Sequence, residues 1–154
     1  MKGFTLIEVI VSVSIALLAT GLIIANYNSY NDVATLKQAA LTLKNDLRFI
    51  QSKAITGEKP PAGCSQLIGW TISFTSTTYM YQPECSEGLV DPVTEVKLPG
   101  GITFPLPLPS SFTMRVLSRG TTLPSATVIT LAGGQKRYEL SINTSGDISD
   151  MGLR

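Results

Sequence analysis

The sequence predicts an α+β fold: a long N-terminal α-helix, apolar all round in its first half and amphipathic in its second, packed on a small antiparallel β-sheet domain. Three observations predict it. No charged residue occurs from Val9 to Asn31. From Val33 to Ala54, apolar residues recur at alternating spacings of three and four. Beyond Gly57 the pattern shifts to alternation at every second residue, broken by Gly, Pro, Ser and Thr. At 154 residues the chain suits one modest domain with an N-terminal appendage. Its 12 Lys+Arg against 11 Asp+Glu supply no general electrostatic reason for a nucleic-acid partner. The absence of His removes the commonest general base and the commonest metal ligand.

The first element is the run at residues 4–25, FTLIEVIVSVSIALLATGLIIA. As a helix it would extend roughly 33 Å, about the hydrocarbon thickness of a bilayer. Tyr27 and Tyr30 follow at its far end, where amphipathic aromatics favour the interface. Lys2, the one charge ahead of the run, points to a cytoplasmic N-terminus, and Lys37 and Lys44 beyond it weaken that signal. Three readings compete. A secretory signal peptide would have only Met1, Lys2 and Gly3 before its apolar core, Glu8 inside that core, and no clear small-residue cleavage site after it. A plain single-span anchor leaves Glu8 unexplained, because a charge at the centre of a span costs roughly 2.5–3.5 kcal/mol, less near its edge. A span in which Glu8 has a dedicated cationic partner accounts for the charge.

Gly3-Phe4-Thr5-Leu6-Ile7-Glu8-Val9, at the head of such a helix, resembles the cleavage and methylation motif of type IV pilins and of the pseudopilins of type II secretion systems. The resemblance implies a leader of residues 1–3, cut by a prepilin peptidase between Gly3 and Phe4, and N-methylation of the new terminal Phe4. It implies that Glu8 is the assembly charge, answered by the terminal amine of a neighbouring subunit. It also implies a single pass through the inner (cytoplasmic) membrane, with the C-terminal domain periplasmic or extracellular, and assembly with other pilin or pseudopilin subunits into a hetero-oligomeric filament. Many pilins carry a proline where this chain has Ala25. Gly21 is the one helix weakener in the span, so local unwinding during assembly would centre there.

Residues 26–56 continue the helix. Val33, Leu36, Ala40, Leu43, Leu47, Ile50 and Ala54 form one apolar stripe, with Lys37, Lys44, Asp46, Arg48 and Lys53 off it. The stripe lasts only about three heptads, which favours packing on the chain's own domain over a coiled coil. Asn26–Asn31, NYNSYN, is a poor helix former and is expected to be helical or slightly bent. Asp32 stands where an N-cap or first-turn acid would. Gly57, followed by Glu58-Lys59-Pro60-Pro61, stops the helix.

Residues 57–154 are expected to form the β-rich domain. Trp70–Thr75 and Thr78–Tyr81 read as a hairpin turning near Ser76-Thr77. Phe112–Ser118, Ala126–Leu131 and Arg137–Asn143 read as further strands, with turns at Gly133-Gly134 and Thr144–Asp147. Pro105–Pro109, PLPLP, is an extended loop that cannot sit in a central strand. Trp70 and Tyr138 are expected in the core or half-buried on strands. Glu84, Glu87, Asp91 and Glu95 read as one solvated acidic loop, with calcium binding as the runner-up.

The order of these pieces resembles the H-type minor pseudopilins and related minor pilins. The matching features are the helix ending Leu47-Arg48-Phe49-Ile50-Gln51-Ser52-Lys53-Ala54-Ile55, Gly69-Trp70 opening a strand, Leu98-Pro99-Gly100-Gly101-Ile102, and a terminal strand near Ser145-Gly146-Asp147-Ile148. Some members of that subgroup bind DNA through a basic C-terminal tail. Here residues 145–154 carry two acids and one base, and residues 57–154 carry 7 basic and 8 acidic side chains, so no nucleic-acid binding is expected.

Cys64 and Cys85 both follow the span. Outside the cytoplasm they would pair as a disulfide worth roughly 3 kcal/mol on the chain-entropy model; two buried thiols is the alternative. Without His they do not make a four-ligand zinc site. No G-x-S-x-G, P-loop or dinucleotide fingerprint occurs, so no catalytic, cofactor-binding or metal-binding residue is assigned. The expected role is structural: a minor subunit of a type II secretion pseudopilus or a type IV pilus. The alternative is a minor pilin that captures DNA or a surface ligand for uptake or adhesion. A membrane-anchored enzyme is the weakest of the three.

Overall fold

The computed structural model describes residues 5–117 and 120–154, and within its helix only the backbone at residue 19 and residues 21–29. The chain divides into two compact units, Met1–Ala34 and Thr35–Arg154. A single helix, α1 (Leu6–Thr56), supplies the described part of the first and opens the second. The backbone is helical through Asn26–Asn31.

The end of α1 is set by Gly57 at φ +66°, a left-handed conformation that costs glycine little. Gly57 donates its N–H to the Ala54 carbonyl at 3.2 Å and Glu58 donates to Lys53 at 3.0 Å. This paired arrangement is a Schellman cap, which satisfies carbonyls the helix itself leaves without partners.

Two antiparallel sheets complete the domain. The first comprises β1 (Leu67–Phe74), β2 (Thr78–Cys85), β3 (Gly88–Leu89), β4 (Thr94–Lys97) and β6 (Phe112–Arg115). In it β2 lies between β1 on one side and β3 and β4 on the other, and β6 borders β1. The second comprises β5 (Ile102–Thr103), β7 (Thr127–Gly133), β8 (Lys136–Ile142) and β9 (Ile148–Leu153), in the order β5-β7-β8-β9. The β domain is thus two sheets rather than one, and both share a core with the helix stripe.

Leu36, Ala40, Leu43, Leu47, Ile50 and Ala54 of that stripe are all buried, and Val33 is half-buried. The six buried residues, Leu36 to Ala54, share one core with Trp70, Ile72, Phe74 and Tyr79 of the first sheet and Ile129, Leu131, Tyr138, Leu140 and Ile142 of the second. Each fully buried Leu, Ile or Phe is worth about 1.5–3 kcal/mol, so this stripe does most to hold helix and sheets together. Phe74 fixes the corner between strands, with the Phe104 ring at 5.2 Å edge-on and Phe112 at 6.3 Å. Trp70 and Tyr138 are core residues.

Several boundaries differ from expectation. β1 begins three residues before Trp70, at Leu67. β2 continues past Tyr81 to Cys85 and so includes Pro83. Pro83 is tolerated because its carbonyl, and with it the missing N–H, points away from β1 to where only Val90 approaches, at 3.0 Å. The strand expected at Phe112–Ser118 ends at Arg115; Ser118 lies outside the described residues. The acidic stretch is not one loop, since Glu84 lies in β2 and Glu95 in β4. The Gly133-Gly134 turn joins β7 to β8, with Gly134 at φ +58°.

Candidate functional site

Gly3 and Phe4, where cleavage and methylation are expected, lie outside the described residues. Thr5 lies one residue ahead of the helix. Thr5 and Glu8 stand in the capping-box relation. The Glu8 backbone N–H faces Thr5 Oγ1 at 3.4 Å, and both the backbone N–H and the hydroxyl of Thr5 face Glu8 Oε2 at 3.5 Å. These are long contacts, near the limit of useful hydrogen bonding. The carboxylate is therefore held at the positive end of the helix dipole without being consumed by its local partners.

Glu8 is the one charge in the first part of α1, residues 6–18, which offers apolar surface in every direction. Every side chain from Thr5 to Leu18 is exposed, from Leu6 at 78% to Leu18 at 73%. The polar residues in this run are satisfied by the helix itself. Ser12 donates to the Glu8 carbonyl at 2.7 Å, Ser14 to Ile10 at 2.8 Å and Thr20 to Ala16 at 2.7 Å. A hydroxyl spent on its own preceding turn makes no demand on an apolar solvent, so these residues do not break the apolar surface. In the sequence they count only as polar; the four-residue offset to each carbonyl is the signal that could have shown otherwise. No helix among the described residues is long and apolar enough to cross a membrane. The expected span, residues 4–25, lies partly outside the described side chains.

The second expected site is present in the globular unit. Cys64 and Cys85 form a disulfide, Cα to Cα 5.5 Å, tying the segment after α1 to the end of β2. Cys85 is buried. Beside it, hydrogen bonding from Ser65 holds the Glu87 carboxyl below its usual range. The Ser65 N–H lies 3.2 Å from Glu87 Oε1, so this acid organises the cystine loop.

Sequence reading missed the polar contacts between α1 and the sheets. Tyr79, almost fully buried, donates its hydroxyl to Asp46 of α1. Burial first, and then that carboxylate, push the Tyr79 phenol far above its ordinary pKa. Lys44 pairs with Asp150 of β9 at 3.1 Å, and Tyr138 also donates to Asp150. The Tyr138 hydrogen bond, ahead of Lys44, holds the Asp150 carboxyl below its usual range. Lys53 lies 4.9 Å over the Trp70 ring and 5.0 Å over Phe49, while its ammonium reaches Glu58 at 2.6 Å. These side chains lock the helix onto the sheets; their arrangement contains no nucleophile–base pair.

Among the described residues no group of three or more His, Cys, Asp or Glu is placed to hold a metal ion. The C-terminal tail, weighed for DNA binding on its charge, is β9, and the Arg154 guanidinium lies 3.5 Å from Glu139. No family model matches the chain, and no curated protein or solved structure matches it significantly.

Proposed function

We propose that the chain is a structural minor subunit of a type II secretion pseudopilus or type IV pilus, cleaved by prepilin peptidase and assembled through its N-terminal helix. The observation that carries the reading is the helix surface behind the Gly3–Val9 motif: exposed and apolar on all sides over residues 6–18, with one carboxylate, Glu8, in its first turn. A helix apolar all round needs lipid or other helices around it. The inner membrane supplies the first before assembly, and neighbouring subunits supply the second afterwards.

Cleavage after Gly3 would create an α-amine on Phe4, about one helical turn and roughly 6 Å of rise from Glu8. N-methylation leaves that amine basic. In a bundle of such helices, the amine of one subunit meets Glu8 of the next, neutralising both charges and setting the axial register between subunits. The weak Thr5 contacts leave the carboxylate free to make that exchange. The competing account is that Glu8 snorkels to the headgroups from its position one turn into the helix.

Glu8→Ala separates the two. Pairing predicts that the variant is inserted and cleaved normally, while its ratio of filament-incorporated to membrane-pool protein falls about tenfold or more, because removing one partner strands the other charge. An unchanged ratio at matched expression rules out the assembly role.

A further inference from the structure

The second sheet is open along part of one edge. β5 pairs with β7 at only two positions, Ile102 with Gly133 and Thr103 with Ala132. The next residue, Phe104, gives its N–H to the Ser76 carbonyl at 2.9 Å, so the chain leaves β7 there. Pro105, Pro107 and Pro109 come next and have no N–H to offer. On the far side of β8, Arg137 exchanges both backbone bonds with Arg154, at 3.2 and 2.7 Å. Alternate residues of β8, namely Tyr138, Leu140 and Ile142, therefore face β7 and engage Leu131, Ile129 and Thr127. The backbone N–H and C=O of Val128 and Thr130 then point to the open side, where they have no partner among the described residues.

A cleft of about 390 Å³ lies at this edge, lined by residues 105–110 and by Val128, Thr130 and Arg137. Leu106 is 84% exposed and Val128 46%, so its surface is partly apolar. Among the described residues the exposed Arg137 guanidinium has no ion-pair or hydrogen-bond partner.

We propose that this cleft is a docking site for an extended, acidic segment of another protein, which adds to β7 as a strand. The recognition chemistry is threefold. Backbone groups of Val128 and Thr130 pair with the backbone of the segment. Arg137 takes a carboxylate, for which its planar fork is suited. Leu106 and Val128 receive apolar side chains from alternate positions of the segment. The competing account is that the proline segment merely guards the edge against unwanted pairing, in which case nothing binds.

The test uses the full chain in detergent micelles and a labelled, N-acetylated, C-amidated short peptide of alternating valine and threonine with one central glutamate. Fluorescence anisotropy should show saturable binding, weakened about tenfold or more by Arg137→Glu and less by Arg137→Lys. Backbone N-methylation of the peptide at every second residue should abolish binding in one register and spare it in the other. Hydrogen exchange at Val128 and Thr130 should slow when the peptide is bound. Absence of saturable binding overturns the proposal. So does binding that is indifferent to Arg137→Glu, to both N-methylation registers, or to replacing the central glutamate by lysine, since that is partition into the micelle.

Discussion

At the scale of single residues, several polar contacts join the helix to the sheets. Tyr79 is the clearest case. Its hydroxyl donates to Asp46, and the Tyr79 ring sits among core side chains while the carboxylate is half-buried. Tyr79→Phe removes the donor and leaves a half-buried carboxylate short of a bond, which should cost about 1–3 kcal/mol in chemical unfolding of the full chain. The pH dependence carries a second signature. Because the folded phenol titrates far above its ordinary value, the unfolded chain releases this proton first as pH rises. Stability from Tyr79 is therefore complete below about pH 10 and declines above it. Tyr138, also raised by burial and by Asp150, adds a slope of the same sign. Unfolding midpoints at about pH 8 and about pH 11 should fall more steeply for the wild type than for Tyr79→Phe; equal falls contradict this account. None of these partnerships is legible in the sequence. Asp46 and Lys44 read as solvated charges off the helix stripe, and only the fold brings β2 and β9 to them. Glu8 is legible, because a lone charge in an apolar run is conspicuous without any structure.

At the scale of elements, legibility tracks length and periodicity. The stripe from Leu36 to Ala54 repeats over several turns, and every member of it is buried. The stop at Gly57 is equally plain, since a glycine before Glu-Lys-Pro-Pro leaves the helix no way to continue. β3 and β5 have two residues each, too few to show any period, and they exist only because a neighbouring strand offers bonds. β9, ISDMGL, has no clean alternation, and its main signal in the sequence is the turn ahead of it. The division into two sheets is also illegible, because it depends on pairings such as β1 with β6 between segments far apart in sequence. The cystine belongs to this scale. It fastens the segment after α1 to the last residue of β2, so it fixes where the helix gives way to the sheet. Alkylation of exported, denatured protein without reductant should label neither Cys64 nor Cys85. Cys64→Ser with Cys85→Ser should lower stability by roughly 3 kcal/mol. Quantitative labelling of both thiols contradicts the pairing.

At the scale of the whole molecule, two kinds of surface are joined in one chain. Thr35–Arg154 buries its apolar residues in a core shared by helix and sheets. Within Met1–Ala34, residues 6–18 expose them on every side. A globular domain has no use for such a helix in water, whereas a subunit stored in a membrane and then packed into a bundle of like helices does. The proposal that this is a pilin-like filament subunit stands on that contrast and on the motif ahead of the helix. The measurement that tests it most directly is the intact mass, with N-terminal fragmentation, of the protein recovered from its native host. The account predicts a chain that begins at N-methylated Phe4 and lacks Met1, Lys2 and Gly3. A chain that begins at Met1, or anywhere after Ala25, contradicts it.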